Sequence, residues 1–265
     1  MQANVLSSYS RLGASLVVML ALTACASSGS KDISKIPSQT ADITRSDGAF
    51  IQPLKWEKTK EQCKGSCPKI KVDSLVFPGN QPLTTLVDAS LASMTGVGDG
   101  PIHRSIADFE SYFWQTAGPR DEVILAATAR YRNRNLTVIE LVSWQYFTGA
   151  AHGIGATQFI NWDNQQASVL SLDDLLVSGR KAAFFDVLKG EHQKWLSTQD
   201  DAIEDMAQYT RLWPFQPSEN IALTDTGVVV KYDAYAIAPY SSGQPEIVIP
   251  YGQLKGILKP SYLPR

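Results

Sequence analysis

Two long β-prone segments joined by a short turn constrain the fold more than any other feature of this sequence. Residues 121–132 (DEVILAATARYR) and 136–147 (LTVIELVSWQYF) are rich in β-branched and aromatic residues, and residues 133–135 (NRN) can form the turn between them. The second segment is bulky on both faces, with Val138, Val142, Trp144 and Tyr146 on one and Ile139, Leu141 and Phe147 on the other. A strand that is apolar on both faces usually lies inside a sheet and is covered on both sides. We therefore expect a central strand here.

The remaining patterns alternate between short strands and helices. Further strands are expected at 50–58, 69–77, 154–162, 219–224, 228–235 and 245–250, and helices at 81–94 after Asn80, 104–117, after Ser171, 180–198, 201–209 and 251–258. Strands in hairpins with helices set apart are typical of an α+β fold with a mainly antiparallel sheet and packed helices. We expect two intimately associated subdomains, residues 49–155 and 156–265.

The N-terminus reads as an export signal. Arg11 precedes a short apolar stretch, residues 12–24, that is shorter than the roughly 20 residues a membrane-spanning helix needs. We therefore assign residues 1–24 as a signal peptide, and the polar residues 25–48 as a flexible tether.

The end of this signal, LTAC at residues 22–25, resembles the lipobox of bacterial lipoproteins. That resemblance implies that Cys25 becomes the first residue and carries fatty acyl chains such as palmitate. Similarity to Gram-negative lipoproteins, with Ala26 rather than Asp after the cysteine, implies the outer membrane. An ordinary signal peptide cut nearby, with Cys25 incidental, is the alternative.

Cys63 and Cys67 are the other cysteines, and in an oxidising exported compartment we expect them to form a disulfide. Half a zinc site is the alternative, but zinc needs four ligands, or three and a water. There is no second cysteine pair, and His103, His152 and His192 are dispersed. We therefore predict neither a metal nor a cofactor.

Charge and motif patterns argue against several function classes. Lys and Arg number 24 against 26 Asp and Glu, so nothing favours nucleic-acid binding. Residues 241–243 (SSG) lack the elbow of serine hydrolases, and the glycines of residues 96–100 (GVGDG) lack the lysine of a phosphate-binding loop. Asp173 and Asp174 resemble a paired-carboxylate site, but their position at the start of a predicted helix explains them better, because carboxylates there are favoured by the positive end of the helix dipole.

Residues 146–153 (YFTGAAHG), 159–176 and 213–254 together resemble the RsiV/PdaC-like family of bacterial envelope proteins, with Ala150 where a second glycine is usual. The resemblance implies an envelope-facing α+β domain. RsiV-type members bind lysozyme, and PdaC-type members carry a polysaccharide deacetylase domain, whose His-x-x-x-His pair is absent here. The shared module therefore suggests recognition rather than catalysis, in the periplasm or at the envelope.

The candidate binding residues are His152, Gly149, Tyr146, Tyr235 and Tyr240. The small residues around His152 would let this loop approach a ligand closely. The simpler interpretation is that the loop is only a turn and that the His152 imidazole forms hydrogen bonds with the backbone. The main hypothesis is a non-enzymatic lipoprotein that binds a macromolecule such as lysozyme or peptidoglycan. If the partner is a basic lysozyme, the acidic residues 200–205 are one place for it to bind. A cell-wall hydrolase using His152, and a purely structural lipoprotein, are the alternatives.

Overall fold

The computed structural model describes residues 50–96, 100–133 and 135–263. The predicted signal peptide, the tether and Cys25 therefore lie outside the described residues. The first half of this part forms a six-stranded sheet whose spatial order follows the chain. Its strands are β1 Gln52–Thr59, β2 Lys69–Val76, β3 Glu122–Arg132, β4 Leu136–Tyr146, β5 Ile154–Asp163 and β6 Ser168–Val169.

Neighbouring strands are antiparallel except β2 and β3, which are parallel. Parallel strands need a long connection, and here it contains two helices, α1 Gln81–Ser93 and α2 Ile106–Thr116. Both begin at the predicted caps: the side chain of Asn80 accepts a hydrogen bond from the Leu83 amide, and that of Ser105 accepts one from the Asp108 amide. The two predicted helices are confirmed.

Strand β4 is central, as its apolar faces predict. Leu136 and Val138 belong to one hydrophobic core, whereas Ile139 and Leu141 belong to the other. All four are buried. The second core also contains residues of α1 and α2, so these helices cover one face of the sheet.

The second half of the chain covers the opposite face. It contains α3 Leu172–Leu175, α4 Lys181–Leu196, α5 Asp200–Glu204, α6 Met206–Leu212 and a three-stranded antiparallel sheet of β7 Ile221–Leu223, β8 Gly227–Lys231 and β9 Glu246–Pro250. Phe184 and Leu188 of α4 pack with Val228 and Val230 of β8 in the core that includes Val138. The α+β fold with mainly antiparallel sheets is confirmed.

Side-chain amides and ion pairs join the two sheets. The Asn161 side chain on β5 donates to the Ile221 carbonyl (2.7 Å) and accepts from the Leu223 amide (2.9 Å). In the same region the Asn220 side chain accepts from the Phe159 amide at 2.7 Å. The proposed boundary between residues 155 and 156 falls inside β5, which pairs with β4 over most of its length.

Two helical predictions differ from the structure in extent. The segment 201–209 is part of two short helices, because the Asp205 backbone leaves the helical region and its side chain caps α6 instead. The closing helix expected at 251–258 is a 3-10 helix, Tyr251–Leu254, and Gly256 then adopts φ +74°. That left-handed backbone does not continue a right-handed helix.

Candidate binding site

The loop between β4 and β5 carries the predicted TGAAHG motif, and a buried carboxylate anchors its start. Asp121 Oδ1 accepts from the Thr148 amide (2.7 Å) and hydroxyl (2.6 Å), and Oδ2 accepts from the Gly118 amide (2.9 Å). Burial raises the pKa of Asp121, but these three hydrogen bonds lower it and prevail. The carboxylate therefore fixes the loop to the start of β3.

Gly149 shapes the turn that follows. Its φ is +94°, and the Ala150 amide donates to the Phe147 carbonyl at 2.9 Å across the turn. A side chain in this backbone region is strained even though an added Cβ would meet no atom within 4 Å among the described residues other than the two chain neighbours. The role of Gly149 is therefore to allow the backbone conformation of this turn.

His152 is exposed and bonds at both ring nitrogens. Nδ1 lies 2.9 Å from the Gly153 carbonyl, and Nε2 lies 3.3 Å from the Tyr235 hydroxyl. Because a carbonyl only accepts, the first contact requires a proton on Nδ1; in the neutral imidazole, Nε2 then accepts from the Tyr235 hydroxyl. Tyr240 also donates to the Gly153 carbonyl, at 3.2 Å.

Four rings form what we call the aromatic surface: His152, Tyr235, Tyr240 and Trp213. The centroids of His152 and Tyr240 are 4.3 Å apart, those of Tyr235 and Tyr240 are 5.5 Å apart, and those of Trp213 and Tyr235 are 6.0 Å apart. Tyr235 is 49% exposed and holds φ +70°, an unusual conformation for a large side chain. An exposed ring held in a strained backbone often marks a functional position.

An open cleft of about 310 Å3 adjoins this surface, and Tyr240 belongs to both. Its apolar walls are Val142, Trp144, Ala234 and Tyr240, and its polar lining includes Ser143 and Gln244. The indole of Trp144 lies directly on Gly153, because a Cβ there would fall within 2.4 Å of three indole atoms.

The five predicted binding residues do not all converge. His152, Tyr235 and Tyr240 are in contact with one another. Tyr146 instead stacks on Trp144, with ring centroids 6.4 Å apart, and Gly149 shapes the turn. Sequence reasoning missed Trp213, Trp144 and Gln244; the one usable signal was Trp213 before Pro214, outside any periodic pattern.

The other sequence candidates have local roles. The sulfur atoms of Cys63 and Cys67 are bonded and close the loop between β1 and β2. Asp174 and Ser171 form a capping box at α3, while Asp173 pairs with Lys181 at 3.0 Å. Within the described ranges, no group of three or more histidine, cysteine or acidic residues is placed to bind a metal. No described helix is long and apolar enough to cross a membrane.

A charged cluster that the sequence did not predict links the two sheets. Glu140 on β4 accepts from Arg130 (2.6 Å) and from Lys231, and Glu246 on β9 accepts from both cations. Glu140 is 7% exposed. Burial raises the pKa of Glu246, but hydrogen bonds from Arg130 and Lys231 and their charges lower it overall.

This chain is similar to known proteins in both sequence and fold. The sequence profile described as "Protein of unknown function (DUF3298)" matches residues 173–252. The crystal structure of a DUF3298 family protein from Pseudomonas aeruginosa PAO1 is 39% identical and superposes with a TM-score of 0.77. The alignment covers 83% of this chain and 98% of that one. The chain belongs to the DUF3298 family.

A second crystal structure, of a DUF3298 member from Bacteroides fragilis NCTC 9343, shares the fold of this DUF3298 protein. It is 23% identical, with a TM-score of 0.64, and the alignment covers 80% of this chain and 94% of that one. No match was found among curated proteins. The two DUF3298 structures extend the similarity well beyond the stretch that the family profile matches.

Proposed function

We propose that this DUF3298 protein is a non-enzymatic binding module of the bacterial cell envelope, and that its aromatic surface binds the glycan strands of peptidoglycan. The observation that carries the proposal is that His152, Tyr235, Tyr240 and Trp213 form one contiguous group of rings, of which His152 and Tyr235 are exposed and Tyr240 and Trp213 are half-buried. Aromatic rings provide large contact areas at little cost in conformational entropy, and Tyr and Trp combine an apolar body with a polar edge. The C–H faces and hydroxyls of sugars match that combination.

The geometry of His152 supports binding rather than hydrolysis. A general base needs an orienting group and a pKa suited to proton transfer. Within the described residues, the ring nitrogens of His152 contact a carbonyl and a tyrosine hydroxyl, and no carboxylate pairs with it. In a cell-wall hydrolase that used His152 as its base, a carboxylate would orient the imidazole. The described residues place none there.

We place the protein in the envelope through a lipid anchor at Cys25, in the outer membrane of a Gram-negative bacterium. The support is the sequence LTAC and the resemblance to the RsiV/PdaC-like envelope proteins. Cys25→Ser should move the protein from the membrane fraction to the soluble fraction. Unchanged partitioning of the variant would contradict the anchor.

A second candidate partner is a lysozyme-like basic protein. The four residues that we call the acidic surface, Asp200, Asp201, Glu204 and Asp205, are all exposed. Ile203 (61% exposed) and Met206 (41% exposed) lie within or next to it in the sequence. Exposed apolar side chains beside one sign of charge are typical of protein interfaces, and complementary charge steers association.

Co-sedimentation with insoluble peptidoglycan tests the main proposal. Tyr235→Ala should reduce the bound fraction of the purified full chain at least several-fold, because it removes a ring of the aromatic surface that is 49% exposed. The matched control is Tyr112→Ala, which removes a tyrosine of similar exposure (40%) on α2, where its ring packs on His103. Equal binding by the two variants, or no binding by the wild type, would reject the glycan proposal.

Immobilised lysozyme and a turbidity assay separate the other functions. One result would be retention of the wild type on immobilised lysozyme and no retention of the double variant Asp201→Asn, Glu204→Gln. If Tyr235→Ala is still retained, this result would favour the protein partner. Release of soluble muropeptides by the wild type, lost in His152→Ala, would favour the hydrolase. Neither result is expected.

A further inference from the structure

We infer that the cleft beside the aromatic surface is a subsite for one N-acetylated amino sugar of the bound glycan, with Gln244 as the residue that selects the acetamido group. This inference rests on the proposed function and adds the ligand class that the site prefers.

The size of the cleft suits a single sugar residue. Its volume of about 310 Å3 is at the lower end of small-molecule sites, which span roughly 300–1,000 Å3. Tyr240 lines the cleft and also stacks with His152 and Tyr235. When one sugar of a glycan strand lies on the aromatic surface, the next sugar of the strand can therefore enter the cleft.

The walls favour an uncharged group with an apolar end. Trp144, Val142 and Ala234 present apolar surface, and none of the described residues that line the cleft is charged. An acetamido group carries a methyl that packs on such walls, whereas a free amine would arrive as an unpaired cation. Desolvating that cation without a partner is unfavourable.

Gln244 supplies an amide donor that has no partner. Its Nε2 is buried and makes no hydrogen bond within the described residues. A buried donor without an acceptor destabilises the free protein, so a ligand that offers an acceptor there gains affinity. The carbonyl of an acetamido group is such an acceptor.

Two glycines keep the space around this amide open. An added Cβ at Gly155 would lie 3.6 Å from Gln244 Nε2 and 3.9 Å from Trp144 Cδ1, so any larger side chain there would project between the amide and the indole. Gly243, at φ +65°, turns the chain immediately before Gln244. Gln244 itself is only half-buried, so its amide can rotate toward a ligand.

The two hydroxyls of the lining are already engaged. Ser143 donates to the Met94 carbonyl at 3.2 Å, and Tyr240 donates to the Gly153 carbonyl at 3.2 Å. The amide of Gln244 is therefore a buried donor of this lining that has no partner among the described residues, and an acetamido carbonyl can accept from it.

Calorimetric titration of the purified full chain with two tetrasaccharides tests this inference. Chitotetraose carries four acetamido groups, and cellotetraose has the same linkage and none. The wild type should bind chitotetraose about 10-fold more tightly, the value of one good hydrogen bond to a buried donor plus methyl burial. Gln244→Leu, which keeps the size and removes the donor, should reduce the preference to within about 2-fold.

The control variant is Gln158→Leu, an exposed glutamine on β5 that does not line the cleft, and its preference should equal that of the wild type. Equal wild-type affinity for the two sugars, or an unchanged preference in Gln244→Leu, would overturn the acetamido subsite. Glycan binding that still depended on Tyr235 would then leave the proposed function standing. Gln244-dependent binding of free stem peptide would show that the cleft takes a peptide carbonyl, which also overturns it.

Discussion

The Tyr235 hydroxyl lies 3.3 Å from Nε2 of His152, although 83 positions separate the two residues in the chain. This contact joins the β4–β5 loop to the segment that follows β8. It brings the TGAAHG motif (residues 148–153) together with a tyrosine from residues 213–254. Both segments carry the resemblance to the RsiV/PdaC-like proteins.

Tyr235→Phe separates the hydroxyl from the ring. We expect the free energy of unfolding to fall by about 1 kcal/mol or less, because the lost hydrogen bond is solvent-accessible. Glycan binding should stay near the wild-type level, since the aromatic face is kept. Urea denaturation and co-sedimentation measure the two effects, and a Tyr235→Phe protein that bound as poorly as Tyr235→Ala would show that the hydroxyl, rather than the ring, contacts the glycan.

Gly153→Ala and Gly190→Ala should have opposite effects. At Gly153 the new methyl overlaps the Trp144 indole at 2.2–2.4 Å, so we expect a loss of about 1–3 kcal/mol of stability. At Gly190, inside α4, a Cβ meets no atom within 4 Å, and alanine should add about 0.5–1 kcal/mol. Thermal unfolding of both variants measures the difference, and a tolerated Gly153→Ala would mean that the indole is free to move.

Glu140→Gln tests the charged cluster between the sheets. Removing this buried charge leaves Lys231 and Arg130 to share Glu246 alone, so we expect a loss of about 3 kcal/mol. The control is Asp73→Asn, which breaks the exposed Lys55–Asp73 pair at 2.8 Å and should cost about 1 kcal/mol or less. Similar costs for the two variants, measured by chemical denaturation, would mean that the cluster is solvated.

His192 should make the protein less stable in mild acid. Burial lowers the pKa of this histidine below its ordinary value of 6.5. Between the lowered folded value and 6.5 the unfolded chain binds the proton and the folded chain does not, so stability falls as the pH drops through that window.

Replacement of His192 by leucine removes the titrating group. The decline in stability between pH 7 and pH 5 should then be shallower than in the wild type, by at most about 1.4 kcal/mol per pH unit. Denaturation curves at pH 7, 6 and 5 provide the comparison. Parallel declines in the two proteins would assign the acid sensitivity to other groups.

Local patterns predicted most of the elements because each depends on neighbours in sequence. Asn80 and Ser105 cap their helices, and the two apolar faces of β4 meet two separate cores. The parallel pairing of β2 with β3 was not predictable in this way, because it depends on where α1 and α2 cross the sheet. Short-range periodicity carries no information about that crossing.

The candidate site was predicted only in parts. His152, Tyr235 and Tyr240 were each recognised, but their contact depends on the packing of two halves of the fold. Trp213 packs partly against a buried cluster and also stacks on the exposed Tyr235, a contact that depends on residues distant in sequence. The buried pairing of Glu140 was also missed, because a charged residue in a strand normally points to solvent and its partners lie on other strands.

The cluster of Arg130, Glu140, Lys231 and Glu246 has a consequence for how members of this family can vary. The profile-matched stretch, residues 173–252, contains the last two of these residues but neither of the first two. A fragment limited to that stretch would keep the Lys231–Glu246 pair but lose Arg130 and Glu140, and it would expose the apolar residues that pack against the first half of the chain. We therefore expect the two halves of the chain to be inherited and exchanged as a single piece.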